Sequence, residues 1–111
     1  MEISTSQYKH CDMIRVTGRI DSATAPQLND AINKLMDENH YKIVLDMSGV
    51  DFISSAGLRV LVNTQKSCKR YNRGELVLSS VTGNIRAALD LAGFMPLFRI
   101  FEDVTTAVGS F

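Results

Sequence analysis

Ile43-Val44-Leu45-Asp46-Met47-Ser48-Gly49-Val50-Asp51-Phe52-Ile53-Ser54-Ser55-Ala56-Gly57-Leu58 is the stretch whose reading decides the fold. It opens with a short, nearly unbroken apolar run. Such a run predicts a strand covered on both faces, the usual situation in a parallel sheet. Ser48-Gly49-Val50-Asp51 then reads as a loop. A helix should begin at Ser54-Ser55, where either hydroxyl can cap. That helix carries Leu58, Leu61, Val62 and Cys68 inward and runs to about Tyr71, with Gly74 as a terminator.

Working outward, the same alternation repeats. Toward the N-terminus, Glu2 to Tyr8 is a weak strand signal, and Met13-Ile14-Arg15-Val16-Thr17 is a stronger one, rich in β-branched residues. Gly18 marks a bulge or bend at its end. A helix should start near Ser22 or Thr24, because both can cap and Pro26 is tolerated only in a first turn. Ala25, Leu28, Ala31, Ile32, Leu35 and Met36 share one helical face, and Asn39-His40 end it. Toward the C-terminus, Glu75-Leu76-Val77-Leu78-Ser79 reads as a strand. Thr82 or Asn84 should cap a third helix with Ile85, Ala88, Leu89 and Ala92 inward, and Gly93 and Pro96 stand beyond it. Leu97 to Phe101 reads as the last strand, and Glu102-Asp103 should start a short terminal helix through Ala107 and Val108. Strands alternating with helices predict one α/β domain over residues 1–111, with a mixed, mostly parallel central sheet packed against α-helices.

The totals exclude several function classes. Across 111 residues, 45% are hydrophobic and 22% charged, and the formal net charge is zero. Such a chain has material for a core but lacks the basic footprint for nucleic acid and the polybasic cluster for an anionic membrane. The start, Met1-Glu2-Ile3-Ser4-Thr5-Ser6, does not read as a signal peptide, and no apolar stretch is long enough to span a bilayer. Cys11 and Cys68 are isolated, as expected of two reduced structural thiols in a cytoplasmic protein. His10 and His40 lack metal-ligand spacing and read as surface residues near strand ends. No phosphate-cradling glycine loop and no nucleophile elbow is present, so neither cofactor, metal nor catalytic group is expected. Asp46 and Asp51 flank the loop before the second helix and read as solvated strand-end residues rather than as an acid–base pair.

What stands out chemically is the junction Ser54-Ser55-Ala56-Gly57. Two serines and two small residues lie where a buried strand gives way to a helix. A helix start offers unpaired N–H groups and the positive end of the macrodipole, where a phosphate is stabilised by about 0.3–1 kcal/mol. Small side chains also allow another surface to approach the backbone. A plain capping role for one serine accounts for the same residues.

The run Val44-Leu45-Asp46-Met47-Ser48-Gly49-Val50-Asp51-Phe52-Ile53-Ser54-Ser55-Ala56-Gly57-Leu58-Arg59-Val60-Leu61 resembles the signature of STAS domains, and more closely that of the bacterial anti-sigma-factor antagonists. Gly18-Arg19-Ile20-Asp21 with Thr24-Ala25, Gly74 to Ser79, and Ile85 to Phe94 extend the resemblance over nearly the whole chain. The resemblance implies a non-enzymatic switch. In this family the unphosphorylated antagonist binds an anti-sigma factor that is also a serine protein kinase, and so frees a sigma factor. The kinase then phosphorylates a serine at the start of the second helix, and a PP2C-type phosphatase resets it. Aligned on the family pattern Asp-Ser-[Ser/Thr/Ala]-Gly-Leu, Ser55 is the acceptor, and Ser54 stands where the family has aspartate. The partner surface implied is Asp21, Ser54, Ser55, Ala56, Gly57, Leu58 and Arg59. Arg59, one turn on, is placed to pair with a phosphate at Ser55. Two other readings compete. One is an unphosphorylated STAS scaffold or subunit in a signalling or lipid-transport complex. The other is an enzyme with Ser55 as nucleophile, which would require a neighbouring base.

Overall fold

The computed structural model describes residues 1–111. Five strands lie in sequence order in one sheet: β1 (Glu2–Gln7), β2 (Asp12–Ile20), β3 (Lys42–Ile53), β4 (Glu75–Ser79) and β5 (Ile100–Phe101). Only β1 and β2 are antiparallel; the other pairs are parallel. The helices are α1 (Ala25–Asp37), α2 (Ser55–Lys69), α3 (Gly83–Leu91) and α4 (Val104–Gly109). The mixed, mostly parallel α/β architecture expected from the sequence is therefore present.

The apolar run of β3 is explained by two cores. Ile43, Leu45 and Met47 join Ile14, Val16, Leu76 and Leu78 against the inward faces of α1, α2 and α3. Val44 points the other way, with Met13 and Val77, toward a small cluster closed by Ala107 of α4. Both faces of the central strand are thus dry, and period-2 alternation of polarity disappears.

Three sequence expectations need correction. Ser48 to Asp51 is not a loop: β3 continues to Ile53, because β2 is long enough to partner it, with Thr17 opposite Gly49 and Ile20 opposite Ile53. β4 pairs only with Lys42 to Asp46, so the far half of β3 and β2 form a two-stranded ribbon beyond the main sheet. Gly18, at φ +106°, sits at a register shift, as its bulge reading requires. The last strand shrinks to Ile100–Phe101, since Met95–Leu97 forms a 3-10 turn around Pro96. The buried Gln65 side chain takes over there. Its Nε2 donates to the Leu76 and Leu97 carbonyls at 2.9 and 2.8 Å, and its Oε1 accepts from the Leu76 amide at 2.8 Å. Finally, Ala92 is exposed instead of facing inward. α2 passes at Lys69 into a 3-10 turn over Arg70–Asn72, so the helical stretch ends near Tyr71 as expected, before Gly74 is reached. Gly74 is needed for another reason: a Cβ there would lie 2.1 Å from the Tyr41 carbonyl oxygen.

Both cysteines are buried and free, one in each core. Burial pushes the Cys68 thiol up to about 11, so it stays protonated and unreactive at neutral pH. No helix is long and apolar enough to cross a membrane.

Candidate functional site

At the C-terminal ends of β2 and β3, two loops meet. The α2 start is held by Ser54, whose backbone remains extended at φ −89° and ψ 174°. Its amide donates to the Ile20 carbonyl at 2.8 Å, which ties the junction to the end of β2. Its Oγ accepts from the Gly57 amide at 3.2 Å, the bond of a helix N-cap. The capping serine is therefore Ser54. Ser55 occupies the first helical position, with an exposed side chain that makes no hydrogen bond within the chain. The Ser54 Oγ therefore caps the helix with no aspartate at that position.

The small residues serve the chain itself more than a visitor. Gly57 is buried, and a Cβ on it would meet Ile20 Cγ2 and Ile53 Cγ1 at 2.7 Å each. Glycine here lets α2 sit down on the ends of β2 and β3. Leu58 is likewise buried in the main core. Of the seven residues expected to meet a partner, Gly57 and Leu58 thus support the surface from below. Ser55 and Arg59 are exposed; Asp21, Ser54 and Ala56 are half-buried. Arg59 forms no ion pair, lies one turn along from Ser55, and lines a shallow cleft between α1 and α2 with Ser22, Asn29 and Asn63.

Asp21 has a structural task as well. Its Oδ1 accepts from the Ala23 and Thr24 amides at 3.0 and 3.1 Å. Thr24 stands at the cap position of α1, but its hydroxyl donates instead to the Arg19 carbonyl at 2.8 Å and accepts from the Asp21 amide at 2.9 Å. The Thr24 amide, with help from the Thr24 hydroxyl, the Ala23 amide and Arg19, holds the Asp21 carboxyl below the usual carboxylate range. Asp21 remains ionised at neutral pH and rigidly placed beside α2. Arg19, 3.8 Å from Asp21, lies over the exposed Phe52 ring at 4.2 Å and extends this surface along the ribbon.

Asp46 and Asp51 do not form a pair. Asp46 is buried and accepts from Arg15 Nε at 2.7 Å and from the Ser48 amide at 3.0 Å, whereas Asp51 is exposed on the ribbon. Burial opposes the Asp46 charge, but Arg15 and Ser48 outweigh it and hold its pKa down. The histidines lie at the opposite end of the sheet. His10 is in the β1–β2 turn, and His40 Nδ1 meets the buried Asp12 carboxylate at 2.5 Å. His40 is therefore a paired residue, a role that its sequence context did not signal. Ser55 has neither histidine beside it as a base.

With this geometry in view, the comparisons with known proteins are consistent. The STAS domain family model matches residues 2–107. BtrV of Bordetella bronchiseptica, named as an anti-sigma factor antagonist, is 33% identical over 94 residues, covering 85% of this chain and 80% of BtrV. The anti-sigma-F factor antagonist RsfB of Mycobacterium tuberculosis is 29% identical over 107 residues, or 96% of this chain and 85% of RsfB. A crystal structure from Thermotoga maritima, also described as an anti-sigma factor antagonist, superposes with a TM-score of 0.90 at 19% identity. It covers 97% of this chain and 92% of its own.

Proposed function

The chain belongs to the STAS domain family, and from that footing we propose that it is an anti-sigma-factor antagonist switched by phosphorylation of Ser55. In the unmodified state it binds an anti-sigma factor that is also its serine kinase, and so releases a sigma factor. A PP2C-type phosphatase restores it, and the switch operates in the cytoplasm. The observation that carries this reading is the division of labour between adjacent serines: Ser54 is consumed as the cap, and Ser55 is exposed and unbonded on the same turn.

Physical chemistry supports the switch. A phosphate at Ser55 adds about 1.5 to 2 negative charges and three acceptor oxygens. The helix start tolerates that charge, because unpaired amides and the dipole face it. Arg59 supplies a cation one turn on, with no competing partner. The domain therefore keeps its fold, and the cost falls on any surface packed against Ser55, through repulsion and desolvation of an interfacial charge. Asp21 and Arg19, on the adjoining loop, would complete the contact surface.

Incubation with the cognate kinase and ATP, followed by phosphopeptide mass spectrometry, tests the assignment. Phosphate is expected on Ser55, with none acquired by Ser55→Ala. Modification of Ser54 instead would overturn it, and no modification at all would favour the unphosphorylated scaffold.

A further inference from the structure

The far end of α2 carries a second surface. Lys66, Lys69 and Arg70 are exposed and form no ion pair, and no acidic residue occurs between Ser55 and Asn72. Cations in a last helical turn complement the dipole, which accounts for Lys66 and Lys69. It does not account for the turn beyond the helix. Tyr71 and Asn72 both adopt left-handed backbone, at φ 58° and 57°; asparagine tolerates that conformation, but for the tyrosine it costs about 1–2 kcal/mol. The strained turn leaves the Tyr71 side chain 82% exposed, the most exposed aromatic in the chain. The Arg70 and Arg73 guanidinium carbons stand 5.6 and 6.0 Å from its ring centre. Arg73 is itself fixed, donating to the Ser67 carbonyl at 2.6 Å, the Arg70 carbonyl at 3.1 Å and the Tyr41 hydroxyl at 3.0 Å. Apart from these two guanidinium contacts the ring is bare, yet the backbone is held in an unfavourable state that displays it.

We propose that Lys66, Lys69, Arg70 and Tyr71 form a docking site for an acidic segment of a partner protein, independent of the Ser55 switch. Charge complementarity identifies the occupant: an uninterrupted local cluster of cations on a chain whose net charge is zero. Tyrosine and arginine are the side chains that anchor protein interfaces. The 82% exposed ring, with guanidinium carbons 5.6 and 6.0 Å from its centre, presents its hydroxyl and edge to carboxylates and apolar groups among the free cations. The site lies about 22 Å from Ser55, the length of α2, so a phosphate there is screened from it at physiological ionic strength.

The test is a backbone-amide NMR titration of the full chain with dodecaglutamate peptide. Saturable shifts are expected from Lys66 to Arg73. Lys69→Glu/Arg70→Glu should weaken binding by about tenfold or more, and Ser55→Asp should change it by less than about twofold. Tyr71→Gly relieves the strained turn, so its melting temperature should hold or rise while its affinity falls. Failure to saturate, shifts centred elsewhere, or unchanged binding by the charge-reversed variant would overturn the proposal. So would equally tight binding of dodecathymidylate or of phosphatidylglycerol vesicles.

Discussion

The two ends of α2 are built on opposite plans. At its head, almost every polar group is spent on the chain itself. Ser54 caps, the Ser54 amide reaches back to Ile20, and Gly57 is wedged between Ile20 and Ile53. Two groups are left free: the small, neutral hydroxyl of Ser55 and the Arg59 guanidinium one turn on. At its tail, charge is concentrated and unpaired, and an exposed tyrosine rides on strained backbone. A single phosphate would reverse the local charge balance of the head, where one unpaired cation, Arg59, stands in a rigid frame. The same modification would only trim the strongly cationic field of the tail. A switch needs the first arrangement; a constitutive anchor is served by the second.

The frame of the head is the most breakable part of this contrast. Gly57→Val should lower unfolding stability by about 3 kcal/mol in a urea melt, because its side chain must displace Ile20 and Ile53 from van der Waals contact. A valine variant as stable as the native chain would show that α2 is free to lift off the sheet, and that the head is not rigid. A smaller effect separates the two serines. Ser54→Ala should cost about 1 kcal/mol as the cap is lost. Ser55→Ala should stay within about 0.5 kcal/mol, since its hydroxyl bonds nothing. Equal losses by thermal melts would mean that Ser55 shares the capping role.

Much of this is legible in the sequence alone. The apolar run of β3, the inward face of α1 at Ala25, Leu28 and Ile32, and the bulge at Gly18 all arise from local pattern, and local pattern is what shaped them. The features that escape are non-local. Ser-Gly in Ser48 to Asp51 signals a turn, but β2 offers a ladder that overrides it. The last strand yields to Pro96 and to Gln65, a side chain 32 residues from the carbonyl it takes. Two adjacent serines look alike in sequence. Which one caps depends on where the β3 backbone stops being extended, and the Ile20 carbonyl that receives the Ser54 amide fixes that point. Gly57 reads equally well as an opening for a partner or for the chain's own isoleucines, and only their positions distinguish the two. The Asp12–His40 pair spans 28 residues and leaves no local trace.

A phosphate on Ser55 should act on the complex and leave the fold alone. Calorimetric titration of the cognate anti-sigma kinase with unmodified and Ser55-phosphorylated protein, alongside the melting temperature of each form, tests this most directly. Affinity should fall by about a hundredfold or more, which is about 2.8 kcal/mol, while the melting temperature of the phosphorylated domain holds or rises. Equal affinities for the two forms, or a phosphorylated domain that melts before it can bind, would contradict it.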